Sequence, residues 1–171
     1  MDIKDFIERL DATTNSVLQT VKNCTPGQLT FKQDNNWCVL EVLEHIYLTD
    51  RIIHTIVSRP SDDKSSSEEI IGDDKMKNIL VEQRTSKKVS APEILKPKGS
   101  IKDLDTFENI FLAQRKAFKE DIVAGNIIID NRIHKHPLLN EMTIADWLNF
   151  TVHHTQRHIE QIKEIINNTG S

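Results

Sequence analysis

Thr143-Ile144-Ala145-Asp146-Trp147-Leu148-Asn149-Phe150-Thr151-Val152-His153-His154-Thr155-Gln156-Arg157-His158-Ile159-Glu160-Gln161-Ile162 is the stretch on which the reading of this chain turns. Thr143 caps a helix of about 25 residues, and Asp146 in its first turn complements the helix dipole. At about 100° per residue, Ile144, Trp147, Thr151, Ile162 and Ile165 fall within about 40° of the direction of His158. His154 lies about 40° to one side, so two imidazoles occupy the middle of the face that must be buried. His153 points about 140° away and is expected on the surface. Residues four apart stack on one helix face, and a His-x-x-x-His pair reaches a single metal ion from one helix.

Working outward, three more helical patterns appear. Residues 104 to 124 carry Phe107, Ile110, Phe111, Ala113, Gln114, Ala117, Phe118 and Ile122, with Asp105 as N-cap, Glu108 at the capping-box position and Gly125 closing the helix. Residues 38 to 59 carry Val39, Val42, Leu43, Ile46, Ile52, Ile53, Ile56 and Val57, and Pro60 stops them. Residues 3 to 23 form the first helix, ended by Pro26-Gly27. On the second of these four helices His45 sits among Val42, Thr49, Ile52 and Ile56 and faces inward. His54 points the opposite way and is expected to be exposed, Glu44 reads as surface, and Trp37 and Trp147 read as core anchors.

Between the second and third helices, residues 61 to 102 differ in kind. The run Ser61-Asp62-Asp63-Lys64-Ser65-Ser66-Ser67 reads as a solvated linker, Met76, Ile79, Leu80 and Val81 allow a short helix, and Pro92 and Pro97 impose an extended path. So long a crossover suits helices two and three running parallel, in an up-up-down-down type of bundle. No strand pattern is convincing. The expectation is one all-α domain over residues 1–171, a four-helix bundle with a long crossover between helices 2 and 3.

A lone histidine on an apolar face reads most simply as a core group bonded to a neighbour. Three inward histidines on two helices do not, because three buried imidazoles with few polar partners are costly. Three neutral imidazoles leaving one position open are a common catalytic metal set. Composition excludes other classes. The net charge is −4, against a phosphate-tracking nucleic-acid binder. No apolar run approaches the ~20 residues of a membrane span. Met1-Asp2-Ile3-Lys4-Asp5 shows no signal region, so a cytoplasmic protein is expected. Cys24 and Cys38 lack CxxC spacing and read as buried free thiols.

At this point a family pattern is visible. Trp37-Cys38-Val39-Leu40-Glu41-Val42-Leu43-Glu44-His45-Ile46 resembles the Trp-x-x-x-Glu-x-x-x-His opening of helix two in DinB-like proteins. His136-Pro137-Leu138-Leu139-Asn140-Glu141-Met142-Thr143-Ile144-Ala145-Asp146-Trp147-Leu148 is similar to their His-Pro-x-x-Gly-x-Met-Thr-x-x-x-Trp-Leu signature. His154-Thr155-Gln156-Arg157-His158-Ile159-Glu160-Gln161-Ile162 resembles their His-x-x-Arg-His-x-x-Gln-Ile. Ala91-Pro92-Glu93, Pro97 and Arg115 fit the same branch.

The resemblance implies a four-helix bundle and a divalent metal on His45, His154 and His158, the residues that face-sorting selects. It also implies work on a small-molecule substrate. Relatives often use a low-molecular-weight thiol such as bacillithiol or mycothiol, whose pKa a metal lowers. Zinc, nickel and iron are all compatible with imidazole ligands. Gln161 is a candidate to bond a ligand imidazole. Arg157 and His136 are candidates to grip an anionic substrate, Arg157 alternatively pairing with a neighbouring helix. Two positions depart from the pattern: Asn140 stands where the turn usually has Gly, and Arg157 where the better-known thiol transferases tend to have His. The reading is therefore a metal-dependent transferase or hydrolase, against a non-catalytic metal-binding stress-response protein. A homodimer is also expected, from relatives and from the phenylalanines of the third helix.

Overall fold

A computed structural model describes residues 1–86 and 90–169, so residues 87–89 of the crossover and 170–171 lie outside the description. Four long helices carry the fold: α1 (Ile3–Val21), α3 (Val39–Val57), α5 (Leu104–Val123) and α6 (Ile144–Asn168). Two single-turn helices, α2 (Pro26–Thr30) and α4 (Asp73–Lys77), sit in the connections. Each long helix starts where the sequence offers a cap. Asp2 accepts from the Asp5 amide at 2.9 Å, Glu41 reaches back to the Cys38 amide at 2.9 Å, and Thr143 and Asp146 form a reciprocal capping box on α6. On α5 the cap is Asp103, accepting from the Thr106 amide at 2.7 Å, and not Asp105, which lies in the first turn.

Core contacts fix the helix directions. In one layer Phe6 and Leu10 of α1 meet Ile53 and Val57 of α3, Phe118 and Ile122 of α5, and Trp147 and Leu148 of α6. In the other, Val17 and Val21 meet Val39, Leu43 and Ile46, Phe107 and Phe111, and Ile159 and Ile162. The first layer joins the starts of α1 and α6 to the ends of α3 and α5. So α1 and α6 run one way and α3 and α5 the other. Helices α3 and α5 are parallel, as the long crossover requires. The order along the chain is up-down-down-up, which corrects the up-up-down-down expectation. Helix α1 packs on α5 and α6, as does α3, so the sequential neighbours α1 and α3 face each other diagonally.

Three further expectations change. A short antiparallel hairpin, β1 (Ile133–His136) and β2 (Asn140–Thr143), precedes α6. Asn140 sits at φ +61°, the left-handed geometry for which Asn substitutes for Gly. The 61–69 stretch is not simply solvated: the Ser65 amide donates to the Asn131 carbonyl and the Ile133 amide to the Asp63 carbonyl, both at 2.8 Å. Just beyond it, the Asp146 carboxylate accepts from the amides of Ile70, Ile71 and Gly72. Finally, Phe107, Phe111 and Phe118 are all buried, so they supply no spare apolar surface for a dimer. Among the described residues no helix is long and apolar enough to cross a membrane. Both cysteines are free, Cys38 buried and Cys24 half-buried.

Candidate metal centre

His45 projects from the second turn of α3, and His154 and His158 project from consecutive turns of α6, which runs antiparallel to it. The Nε2 atom of His154 lies 3.2 Å from that of His45 and 3.1 Å from that of His158. Donor atoms of all three fall within 4.8 Å of one another, and all three residues are buried. Two nitrogens held ~2.0–2.1 Å from a tetrahedral ion stand about 3.3 Å apart, so the observed spacing suits one metal.

Tautomers sharpen the fit. The Nδ1–H of His45 donates to the Leu95 carbonyl at 2.8 Å, and that of His158 to Gln161 Oε1 at 2.8 Å. Both rings therefore turn an Nε2 lone pair toward the centre. His154 has no partner at Nδ1 among the described residues. If its proton is on Nδ1, three lone pairs converge with no donor among them; if on Nε2, a buried lone pair is orphaned at Nδ1. Protein groups alone leave something unsatisfied, and a cation at the convergence meets all three lone pairs. Burial pushes all three imidazoles toward the neutral form that metals need. His45 is lowered, His158 falls to about 3, and His154, with the other two rings beside it, lies well below the usual histidine value. Among the described residues no cysteine or carboxylate joins the group. Three protein ligands with no fourth is the open arrangement of catalytic sites.

Around the triad the other expected residues are placed unevenly. Gln161 does hold a triad imidazole, as just described. Arg157 donates to the backbone carbonyls of Leu80 at 3.0 Å and Arg84 at 3.3 Å, so it pins the crossover to α6 and pairs with no carboxylate among the described residues. His136 stands outside the ligand group. Its Nδ1 accepts from the amides of Leu138 and Leu139 at 3.1 Å, and burial lowers its pKa to about 4. Its ring lies 5.0 Å from that of Phe150, which in turn stacks on His154 with centroids 5.1 Å apart. His136 thus buttresses the site from behind.

Two residues read as surface are buried, for one shared reason: the crossover covers them. His153 bonds Asp73 at the start of α4 at 2.7 Å, and Glu44 accepts from the amides of Lys98, Gly99 and Ser100. Burial raises the Glu44 carboxyl, but these donors and the Ser100 hydroxyl outweigh it and hold its pKa below the usual value. His54 is half-buried on the Phe118 ring, bonded to Asp121 at 2.8 Å. Trp147 is a core residue as expected; Trp37 is only half-buried, with its ring 4.9 Å from that of His45. Beside the site Trp37 and Gln161 line a cleft of about 250 Å³, together with Phe31, Gln33, Asn36, Glu164, Ile165 and Asn168. The sequence reading missed the Leu95 carbonyl and the Phe150 ring. A carbonyl leaves no mark in a sequence, but Phe150, one turn before His154, was open to the same face-sorting.

Comparison with known proteins agrees with this picture. A family model described as the DinB superfamily matches residues 9–162. YuaE, an uncharacterised protein of Bacillus subtilis (strain 168), is 26% identical over 136 residues, covering 75% of this chain and 76% of YuaE. Among solved structures, YfiT of Bacillus subtilis is similar with a TM-score of 0.63 at 18% identity, over 98% of this chain and 87% of YfiT. YfiT is described as a probable metal-dependent hydrolase with an unusual four-helix bundle topology.

Proposed function

The chain belongs to the DinB superfamily, and on that premise we propose that it is a metal-dependent hydrolase acting on a small molecule, with a divalent ion on His45, His154 and His158. The observation that carries the reading is the convergence of three Nε2 atoms with no fourth protein ligand among the described residues. The description of YfiT as a probable metal-dependent hydrolase supports it. A divalent ion held by His45, His154 and His158 would supply Lewis acidity and lower the pKa of a water or thiol beside it. The chain's own part is positioning. The Leu95 carbonyl and Gln161 fix two imidazoles in the tautomer that presents Nε2, and Phe150 sets the plane of His154. The buried apolar surroundings strengthen every charge interaction at the centre.

The test is to strip the protein with a chelator, reload it with zinc, nickel or iron, and assay a panel of small esters and amides with and without a low-molecular-weight thiol. Activity without thiol that His158→Ala lowers at least 100-fold, at unchanged helical content, is the expected result. Turnover only with thiol moves the reaction to S-transfer at the same site. Full activity in His158→Ala, or no turnover with any metal, ends the hydrolase reading.

A further inference from the structure

The cleft beside the triad has a definite chemical character. Its volume of about 250 Å³ falls below the ~300–1,000 Å³ of pockets for drug-sized ligands, which limits an occupant to a small molecule. Trp37 forms one wall and Phe31 and Ile165 add apolar surface. Glu164 is the one charged residue of the lining, and Arg84 donates to both of its oxygens, so that charge is matched inside the protein. The remaining lining residues are amides: Gln33, Asn36, Gln161 and Asn168.

Among those amides, Gln161 is oriented. Its oxygen takes the His158 Nδ1–H at 2.8 Å, which fixes the side chain and leaves its NH2 group with no partner among the described residues. Asn36 likewise has no side-chain partner among them and is exposed at the rim, whereas Asn168 donates to the Gln33 oxygen at 3.3 Å. An aromatic wall, an amide held in place by its bond to His158 and no free charge select for one kind of ligand. An anion finds no uncompensated cation in the lining, and a cation finds its one carboxylate already taken.

We propose that this cleft binds the uncharged, carbonyl-bearing part of the substrate, a small planar amide or ester, with its face on Trp37 and its carbonyl oxygen accepting from the Gln161 amide. The inference rests on the hydrolase reading and names its substrate class. Gln161 then has two partners, a triad imidazole through its oxygen and the substrate through its nitrogen. Trp37 likewise touches the His45 ring on one side and lines the cleft on the other.

Three probes of one shape test it: benzamide, benzoate and benzylammonium, neutral, negative and positive. Each is titrated into the full-length protein, metal-free and zinc-loaded, with affinity from calorimetry and occupancy from Trp37 emission; Trp37→Phe is the optical control, because Trp147 is buried. Benzamide is expected to bind the metal-free protein at least ten-fold more tightly than either charged probe, and to shift Trp37 emission; in the zinc-loaded form benzoate also has the open position of the ion available to it. Trp37→Ala should weaken benzamide binding ten-fold or more. Asn36→Ala, at an exposed position outside the helices, should weaken it two- to five-fold. In the metal-free protein, equal affinity for the three probes, preference for a charged one, or binding indifferent to both substitutions overturns the proposal. Because metal-free binding is read directly, this outcome stands apart from whether the loaded protein hydrolyses anything.

Discussion

Two polar clusters are buried side by side between α3 and α6, and they are built on opposite principles. In one, Asp50 of α3 meets Arg115 of α5 at 2.7 Å, and Arg115 also donates to Thr155 of α6 at 2.7 Å. Opposite charges and a hydroxyl nearly complete one another, although one Asp50 oxygen has no partner among the described residues. In the other, five residues before Asp50 and one before Thr155, three like groups aim their acceptors at one point. The first cluster balances charge with charge and, with Arg115 also 3.5 Å from the Thr13 hydroxyl, reaches all four long helices. The second gathers three acceptors and no opposite charge, an arrangement that a cation would complete.

The sharpest way to break this comparison is to remove Arg115. Both members of the pair are buried, with side chains 2% exposed, so Arg115→Ala strands a carboxylate in the core. A loss of about 3–5 kcal/mol in urea unfolding is expected, with metal affinity of the folded fraction nearly unchanged. A variant as stable as the wild type, or one that loses metal selectively, would merge the two clusters into one functional unit.

How far each cluster was legible follows from where its partners come from. His45, His154 and His158 stand out because each lies on a long helix whose own periodicity says which side is inside. Asp50 lies on such a helix too, but charge on an inner face carries no sign of its partner, and Arg115 was noticed only through a family pattern. His153 and Glu44 were misread because their partners, Asp73 and the amides of residues 98–100, belong to the crossover. That segment has no period from which its path could be drawn, and it buries whatever it crosses. Trp37 was misread in part, since a tryptophan opening a helix looks the same whether it plugs the core or walls a cleft.

A smaller effect sharpens the contrast through pH. The triad imidazoles titrate below their ordinary value in the folded chain, His158 at about 3 against 6.5 when unfolded. As pH falls below 6.5 the unfolded chain takes up protons that the folded chain refuses. Stability is therefore fully present above pH 6.5 and declines toward the folded values. Metal-free protein should melt at a progressively lower temperature as pH falls from about 6.5 to 5.5, above the range in which most carboxylates protonate. His158→Ala should flatten that slope. A melting temperature constant or rising over this range would mean the imidazoles are not held neutral.

The claim that the triad is an open metal site is tested most directly by X-ray absorption at the edge of the bound metal, on protein loaded with zinc or nickel at one equivalent. One ion per chain is expected, with three imidazole nitrogens at ~2.0–2.2 Å and a remaining light-atom ligand that exchanges with added azide. A sulfur or a fourth protein ligand in the shell, or a spectrum unchanged by His45→Ala, would contradict it.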